Sequence, residues 1–334
     1  MRILSNMPCS KSQPIVFQSG NQSQQRWLYL IETENLTKRF GELTAVESVT
    51  LDVNEGEIFG FLGPNGAGKT TTVRMLTCLI SETSGTARIG GLDIRSRSDR
   101  KKIRGMVGLL PENVGLYESM SAYKNLDYYG RFYKLTQAKR RERIEYLLRL
   151  LGLWDKRDVA AGTFSKGMKQ KLAIARALVH DPQVLFLDEP TANLDPEASK
   201  AVRDFIIELK KEKRTIFLNT HMLDEADRIC DRVGILKTKL VAVGNPEELR
   251  ESLFARITVV QLEAVNDAII SSVRKLGIEK VEVVESGKLF VTVKSPDKQN
   301  PEIVHAIDGA GGRIRSVYQS NPTLEDVYLR LVKD

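Results

Sequence analysis

The chain has 334 residues, 42% of them hydrophobic, and a formal net charge of +7 at pH 7. This length predicts about two domains with a core in each, and the absence of any apolar run near the roughly 18 residues of a spanning helix excludes a polytopic membrane protein. Cys9, Cys78 and Cys230 are odd in number and lie far apart without CxxC spacing, which argues against a disulfide framework or zinc site and favours a reducing cytoplasm.

The first 30 residues are rich in Ser, Gln and Asn and contain no long apolar segment, so we expect no signal peptide. We interpret residues 1–30 as a disordered extension or an over-extended start. Arg2, Lys11 and Arg26 contribute three of the positive charges, and no acid accompanies them. The remaining excess leaves two alternatives, an ordinary solvated surface or a patch that binds polyanions, including anionic lipid headgroups.

Strand patterns follow from about Leu30 to Glu57, where alternating stretches such as TAVESVTLDV predict antiparallel strands. IFGFL then predicts a buried strand. Further short strands are expected around Gly85 to Ile94 and at Val107 to Leu110.

The segment FGFLGPNGAGKTTT, from Phe59 to Thr72, meets the pattern GxxxxGK[ST]. Its glycines let successive backbone N–H groups and the next helix N-terminus point at phosphate oxygens. An ordinary glycine turn is the alternative, but it would not require a strand before and a helix after. We therefore predict a nucleoside triphosphate site, with Lys69 on the β and γ phosphates and in catalysis, and the Thr70 hydroxyl on Mg²⁺. The phosphate-binding loop is predicted to comprise Gly63, Pro64, Asn65, Gly66, Ala67, Gly68, Lys69, Thr70 and Thr71.

Two helical patterns come next, SAYKNLDYYGRFYKL and QAKRRERIEYLLRLLGLW. We expect their apolar stripes to form the core of a helical subdomain at about residues 112–163, with part of one face free for a partner helix. The stripe residues are Leu126, Tyr129, Phe132, Tyr133, Ile144, Leu147, Leu148 and Leu151.

After Lys166 strands and helices alternate, which predicts a parallel sheet covered on both faces. The apolar strand QVLFLDEP ends in Asp188 and Glu189, at the edge where such sheets bind ligands. Asp188 is expected to hold magnesium through water, and Glu189 to orient and deprotonate the attacking water. A carboxylate pair that only caps the next helix is the alternative. His221, directly after the strand IFLNT, is either structural or a catalytic residue that contacts the γ-phosphate.

Beyond Gly244 to Pro246 the order becomes strand, helix, two strands, a helix over PEIVHAIDGA that begins at Pro301, a strand and a closing helix. This order matches a split βαβ arrangement, so residues 255–334 are predicted to form a small α+β domain.

The segment from Phe164 to Pro196, FSKGMKQKLAIARALVHDPQVLFLDEPTANLDP, resembles the core of the ATP-binding cassette (ABC) proteins, and the motifs tie in residues 36 to 245. The resemblance implies a P-loop NTPase α/β core with an antiparallel β subdomain and a helical subdomain, in a nucleotide-binding domain at residues 31–245. It also implies that Ser165 and Gly167 contact the γ-phosphate of ATP on a second cassette. Asp195 then matches the D-loop, and Phe40 matches the aromatic residue that stacks on adenine; a core phenylalanine is the alternative.

Two departures from the usual ABC motifs indicate which branch of the family the sequence resembles. The usual LSGGQ signature reads FSKGM at residues 164–168, and the usual Q-loop glutamine is Glu112, in LLPENVGLY. Both are similar to the exporter branch, such as drug-efflux and sodium-efflux ATPases, in which the ATPase is separate from the membrane subunit and has an accessory C-terminal domain. Glu112 is expected near the nucleotide and the metal, and we hypothesise that it links the γ-phosphate to the helical subdomain.

The resemblance therefore implies an ATPase subunit of an ABC exporter, cytoplasmic and peripheral on the inner face of the cell membrane, with ATP and Mg²⁺ as cofactors. Its expected partners are an integral membrane permease, docked near Val114 to Tyr129, and a second ABC ATPase in a homodimer or heterodimer. We expect no specific nucleic acid partner, because the chain has neither two cassettes nor a long heptad coiled coil between its Walker motifs. The alternatives are a non-transport ABC ATPase acting on a soluble or nucleic-acid partner, and an assembly ATPase that binds a soluble protein through its C-terminal domain.

Overall fold

The computed structural model describes residues 15–16, 29–278, 280–285 and 287–333. The chain divides into two compact units, one up to Pro246 and one from Glu247 onward. Most of the segment that we predicted to be disordered lies outside the described residues. Of its described residues, Ile15–Val16 form a short strand and Tyr29 and Leu30 begin another.

The strands of the first unit are β1 (Ile15–Val16), β2 (Tyr29–Phe40), β3 (Leu43–Asn54), β4 (Ile58–Leu62), β5 (Ser84–Ile89), β6 (Leu92–Asp93), β7 (Val107–Leu110), β8 (Val184–Asp188), β9 (Thr215–Thr220), β10 (Arg232–Lys237) and β11 (Lys239–Gly244). Its helices are α1 (Lys69–Leu76), α2 (Arg97–Met106), α3 (Ala122–Phe132), α4 (Gln137–Leu150), α5 (Lys166–Leu178), α6 (Pro196–Lys211) and α7 (Leu223–Ile229). Short 3₁₀ helices lie at Trp154–Lys156 and Ala161–Thr163.

In the described part of this unit, seven strands form one sheet in the order β1-β11-β10-β4-β9-β8-β7. Strands β10, β4, β9, β8 and β7 run parallel to their neighbours in that order, whereas β11 is antiparallel to β10. Every residue of β4, β8 and β9 is buried, because helices or another sheet cover both faces of a parallel sheet. The predicted α/β architecture is confirmed, and the strands β10 and β11 are additional to it.

A smaller antiparallel sheet has the order β3-β2-β5-β6 among the described residues. It packs on the main sheet through a core that contains Phe59, Phe61, Phe186 and Phe217. The Phe217 ring centroid lies 5.2 to 5.5 Å from those of the other three. The β subdomain therefore shares its core with β4 and supports the strand that leads into the glycine loop.

The helical subdomain packs α3 and α4 against α5. The stripe of α4 is buried as predicted, since the exposed fractions of Ile144 and Leu148 are both 0%. The stripe of α3 is only partly buried: Leu126 lies in the core, whereas Phe132 is 66% exposed and Tyr133 is 40% exposed. The end of α3 therefore leaves aromatic surface available to a partner.

His180 joins the helical subdomain to the main sheet. Its imidazole stacks on the Tyr133 ring with 3.6 Å between centroids, and its Nε2 donates a hydrogen bond of 2.9 Å to the Val107 carbonyl oxygen. Nδ1 is buried and has no hydrogen-bond partner among the described residues. Burial lowers the pKa of His180 to about 4, because a second proton on Nδ1 would place a charge where nothing solvates it.

We expect His180 to make the fold acid-sensitive. Because its pKa in the folded protein is below its ordinary value, its contribution to stability is present above about pH 6.5 and is lost as the pH falls toward 4. The full difference in pKa corresponds to about 3 kcal/mol. Urea unfolding of the wild type and His180→Gln between pH 7 and pH 4 measures it, since a glutamine amide can still donate to Val107 but does not titrate. Equal pH dependence in both proteins would contradict the assignment.

The second unit contains α8 (Pro246–Leu253), β12 (Ile257–Leu262), α9 (Asp267–Arg274), β13 (Lys280–Glu285), β14 (Lys288–Thr292), α10 (Pro296–Gly309), β15 (Ile314–Ser320) and α11 (Leu324–Lys333). Its described strands form an antiparallel sheet in the order β13-β14-β12-β15. Strand β14 lies between β12 and β13, and β12 lies between β14 and β15, so the predicted split βαβ arrangement is confirmed.

One helix start in this unit differs from the prediction. The sequence suggested that α10 begins at Pro301, but the helix begins at Pro296 and continues through Pro301. The Gln299 side chain accepts hydrogen bonds from the backbone N–H groups of Lys294 and Ser295, which stabilises the first turn. No helix in the described part of the chain combines the length and apolar character needed to span a bilayer.

Candidate active site

The glycine loop connects β4 to α1 at the carboxyl end of the main sheet. A Cβ atom at Gly63 would lie 2.4 Å from the Leu236 carbonyl oxygen, and one at Gly68 would lie 2.2 Å from that of Ala45. Gly68 also has a φ of +100°, in the left-handed region that favours glycine. Both glycines are therefore required for the loop to pass this close to neighbouring backbone.

Lys69 begins α1 and folds back over the loop. Its Nζ donates hydrogen bonds of 2.8 Å to the Gly63 carbonyl oxygen and 3.2 Å to that of Pro64. Burial lowers its pKa, while the charges of Glu189, Asp188 and Glu112 act in the opposite direction. Because α1 has no acidic residue in its first turn, the ammonium group and the helix N-terminus together form a positively charged site for an anion.

Asp188 ends β8 beside this loop and is 4% exposed. The Thr70 hydroxyl donates a 2.9 Å hydrogen bond to its Oδ2, and the Asn219 amide donates to its Oδ1. Burial raises the pKa of Asp188, and the neighbouring carboxylates of Glu189 and Glu112 raise it further. Hydrogen bonds to both oxygens fix the plane of the carboxylate next to Thr70.

Glu189 directly follows Asp188 in the chain and has an unusual backbone conformation. Its φ is +51°, in the left-handed region that a non-glycine residue adopts at a cost of about 1–3 kcal/mol. Its carboxylate accepts hydrogen bonds from the Thr220 hydroxyl (3.1 Å), the His221 backbone N–H (3.1 Å) and His221 Nδ1 (2.8 Å). The strained turn thus directs the carboxylate toward the end of β9, where His221 lies.

The donor set fits a magnesium ion. The described residues contain no group of three or more His, Cys, Asp or Glu side chains placed to hold a metal. Mg²⁺ does not need one, since it commonly takes one or two protein oxygens together with phosphate oxygens and water. Thr70 Oγ1 donates its proton to Asp188 Oδ2 and keeps lone pairs free for a metal ion. Both Thr70 Oγ1 and Asp188 Oδ2 lie beside the positively charged site.

The sequence analysis also predicted that Glu112 and Phe40 contact the nucleotide. Glu112 is exposed in the loop after β7, and its charge acts on both Lys69 and Asp188. Phe40 ends β2 and is 50% exposed, with the Lys38 ammonium 4.9 Å from its ring centroid. This exposure argues against the alternative of a core phenylalanine.

Ser165, Gly167 and Asp195 belong to a different part of the unit. Ser165 caps α5 by accepting a hydrogen bond from the Met168 N–H, and Asp195 caps α6 by accepting one from the Ala198 N–H. A Cβ atom at Gly167 would lie 2.7 Å from that of Ala198, so the glycine permits α5 and α6 to approach closely. None of the hydrogen bonds between described residues joins these three to the glycine loop.

The sequence analysis missed a polar network behind Glu189. The buried carboxylate of Glu225, on α7, accepts hydrogen bonds from the Thr191 hydroxyl and the Arg203 guanidinium. The Gln170 side chain of α5 donates a 2.7 Å hydrogen bond to the Pro190 carbonyl oxygen. These contacts fix the turn after Glu189 to α5, α6 and α7. Neither spacing nor composition marks them, because the partners meet only in the folded chain.

The chain matches two known families. Residues 46–192 match the family described as "ABC transporter", and residues 244–332 match "ATP-binding protein DrrA1-3-like, C-terminal domain".

Curated relatives align over nearly the whole chain. The linearmycin resistance ATP-binding protein of Bacillus subtilis is 30% identical over 307 residues, which cover 90% of this chain and 98% of that protein. The bacitracin transport ATP-binding protein of Bacillus licheniformis is 34% identical over 304 residues, covering 91% and 97%. A Nod factor export ATP-binding protein of Cupriavidus metallidurans is 34% identical over 307 residues, covering 90% and 97%.

Solved structures are similar to the first unit. The cbiO1 structure from Clostridium perfringens, described as part of an ABC transporter complex, has a TM-score of 0.62 and 30% identity, covering 66% of this chain and 90% of that one. A dimeric post-hydrolysis state of the ATP-binding cassette MJ0796, bound to ADP and Pi, has a TM-score of 0.59 and 25% identity, covering 64% and 98%.

Proposed function

Because the chain belongs to the family of ABC transporter ATP-binding proteins, we propose that it binds and hydrolyses ATP to power export through a separate membrane permease. The observation that carries the proposal is the convergence of Lys69, Thr70, Asp188, Glu189 and His221 at one edge of the main sheet. A glycine loop alone would bind phosphate. The carboxylate and imidazole opposite it supply what hydrolysis requires.

The chain's own side chains divide the work of hydrolysis. Lys69 and the backbone of the loop hold the β and γ phosphates and stabilise the charge that develops on them. Glu189 orients the attacking water and accepts its proton, and His221 holds the Glu189 carboxylate through Nδ1. Thr70 and Asp188 would hold magnesium, with Glu112 nearby; the ion neutralises phosphate charge when it is bound.

We further propose that the working form is a dimer. Ser165 and Gly167 lie at the N-terminus of α5, and Asp195 caps the N-terminus of α6. A hydroxyl, a glycine N–H and a helix N-terminus suit a phosphate, and none of them is hydrogen-bonded to the chain's own loop within the described residues. They are therefore suited to the γ-phosphate held by a second cassette, either a second copy or a sister ATPase.

The permease is proposed to dock in a groove beside the helical subdomain. This groove has a volume of about 300 Å³ and is lined by Leu79, Arg104, Tyr129, Tyr133 and Arg176, among others. It lies next to exposed aromatic rings of α3, where Tyr128 and Phe132 pack edge to face with centroids 5.0 Å apart. Apolar and aromatic surface of this kind is suited to a helix from a membrane partner. The protein would then be peripheral, on the cytoplasmic face of the membrane.

Co-purification and kinetics test the proposal. We expect the chain to co-purify with a polytopic protein from detergent-solubilised membranes, and its ATP turnover per chain to rise with protein concentration as dimers form. Capture of only a soluble protein or a nucleic acid would favour the non-transport alternatives. Concentration-independent turnover by a monomer would exclude the shared sites.

A further inference from the structure

The outward face of α2 has an unusual concentration of positive charge. Residues 95–104 read RSRSDRKKIR and contain six Lys and Arg residues and one acid. The helix buries Ile103 and turns Asp99 partly inward, whereas Arg97, Lys101, Lys102 and Arg104 are exposed. We call these four residues the cationic stripe. Arg97, Lys101 and Arg104 follow the spacing i, i+4, i+7, so they lie along one side of the helix.

Little of this charge is neutralised within the chain. Arg95 pairs with Asp93, and Arg100 donates to the Ile94 carbonyl oxygen, so these two cations are held by the fold. Lys102 reaches Asp99 only at 3.7 Å and is 66% exposed. Neither the Arg97 nor the Lys101 side chain has a hydrogen bond or ion pair with another described residue. The stripe is thus a row of exposed cations, and the fold provides few partners for them.

The position of the stripe connects it to the proposed permease groove. Arg104 lines both, and its guanidinium also approaches the Cys78 carbonyl oxygen at 3.4 Å. Leu79, the residue after Cys78, lines the groove and is 58% exposed, so the edge of the groove carries both apolar and cationic side chains. If the groove holds a segment of a membrane protein, the bilayer surface lies close to the stripe.

We propose that the cationic stripe binds the anionic phosphate headgroups of the membrane leaflet beside the permease, with Leu79 at the edge of this contact. The proposal rests on the proposed function for its geometry. A membrane fits better than single-stranded nucleic acid, because no aromatic side chain on the stripe could stack on a base. It also fits better than a specific acidic protein site, because a row of exposed cations with few partners suits a diffuse layer of charge. Each such cation increases partitioning onto an anionic surface about fivefold at low salt.

Vesicle flotation with the purified full chain tests the proposal. We expect binding to vesicles of phosphatidylglycerol and phosphatidylcholine, little binding to phosphatidylcholine alone, and release by high salt. The variant R97E/K101E should bind at least tenfold more weakly. The matched control K211E/K213E changes the net charge equally at two exposed positions, one at the end of α6 and one in the turn before β9, and it should bind like the wild type.

Three results of the vesicle experiment would contradict the proposal. Equal binding to both lipid compositions, equal loss in both variants, or no binding by the wild type would overturn the proposal. Unchanged vesicle binding together with weaker permease co-purification in R97E/K101E would assign the stripe to an acidic protein surface instead. Thermal unfolding confirms that the variants are folded. Failure of the wild type to co-purify with any permease would count against the proposed function, whereas the vesicle result reports on the stripe alone.

Discussion

Glu189→Gln is expected to reduce ATP hydrolysis by a factor of about 10² to 10⁴ while ATP binding persists. The glutamine amide has nearly the shape of the carboxylate: its oxygen can still accept from the His221 backbone N–H, and its NH2 group can donate to the Thr220 hydroxyl oxygen. It cannot accept a proton from water. The left-handed backbone at position 189 costs the same in both proteins, so the loop geometry and the phosphate site should be unchanged.

Slow hydrolysis with intact binding should also trap the dimer. Closure is favoured only while the γ-phosphate is present, because only the triphosphate can be gripped from both sides. Size-exclusion chromatography with and without ATP, beside a phosphate-release assay, measures both effects. Asp204→Asn, at an exposed position on α6, is the control, since it also removes one carboxylate charge but leaves the candidate site unchanged. Turnover of Glu189→Gln at the wild-type rate would refute the assignment of the base.

Those parts of the fold that depend on one continuous segment were predictable from the sequence. The strands β4, β8 and β9 consist of apolar runs that only a sheet covered on both faces can bury. The glycine loop was recognisable because its spacing itself specifies the backbone path. The second unit was predictable as well, since its order of strands and helices allows few arrangements.

Features that depend on surface charge or on tertiary contacts were harder to predict. Helix α2 was missed because its cationic sequence carries a single buried apolar residue, Ile103, and so lacks an apolar stripe. The antiparallel pair β10 and β11 was missed as well. These two strands extend the main sheet beyond the part in which strands alternate with long helices.

The residues of the candidate site also fall into two groups, those that the sequence predicted and those that only the structure revealed. Motif spacing identified Lys69, Asp188 and Glu189, whereas Asn219 and Glu225 became visible only when β9 and α7 were placed against β8. A buried amide or carboxylate in a helix or strand gives no sequence signal of its own. Its partner is a residue distant in sequence, and the pairing exists only in the folded state.

Asp188→Asn is expected to stabilise the ligand-free protein and to reduce hydrolysis at the same time. Burial raises the pKa of Asp188, so the ionised carboxylate at pH 7 is held in the fold at a cost that the neutral amide does not incur. The amide oxygen can still accept from Asn219, and the Thr70 hydroxyl can reverse to accept from the new amide. Hydrolysis should fall by at least about a hundredfold, because a neutral side chain holds Mg²⁺ poorly and the ion supplies several kcal/mol of transition-state stabilisation.

The sign of the stability effect follows from the raised pKa. The folded protein binds the Asp188 proton more tightly than the unfolded chain does, so the stabilisation by protonation is present at low pH and is lost as the pH rises through the folded-state pKa. The excess unfolding free energy of Asp188→Asn over the wild type should therefore grow as the pH rises through the folded-state pKa of Asp188. Urea unfolding without nucleotide measures it, with the exposed carboxylate change Asp204→Asn as the control for net charge. If Asp188→Asn were less stable than the wild type at pH 8, the buried carboxylate would be a structural support for the fold. If Asp188→Asn were more stable than the wild type and also lost hydrolysis, the negative charge of Asp188 would destabilise the ligand-free protein and serve catalysis. Only a bound cation and triphosphate would then give this charge a partner.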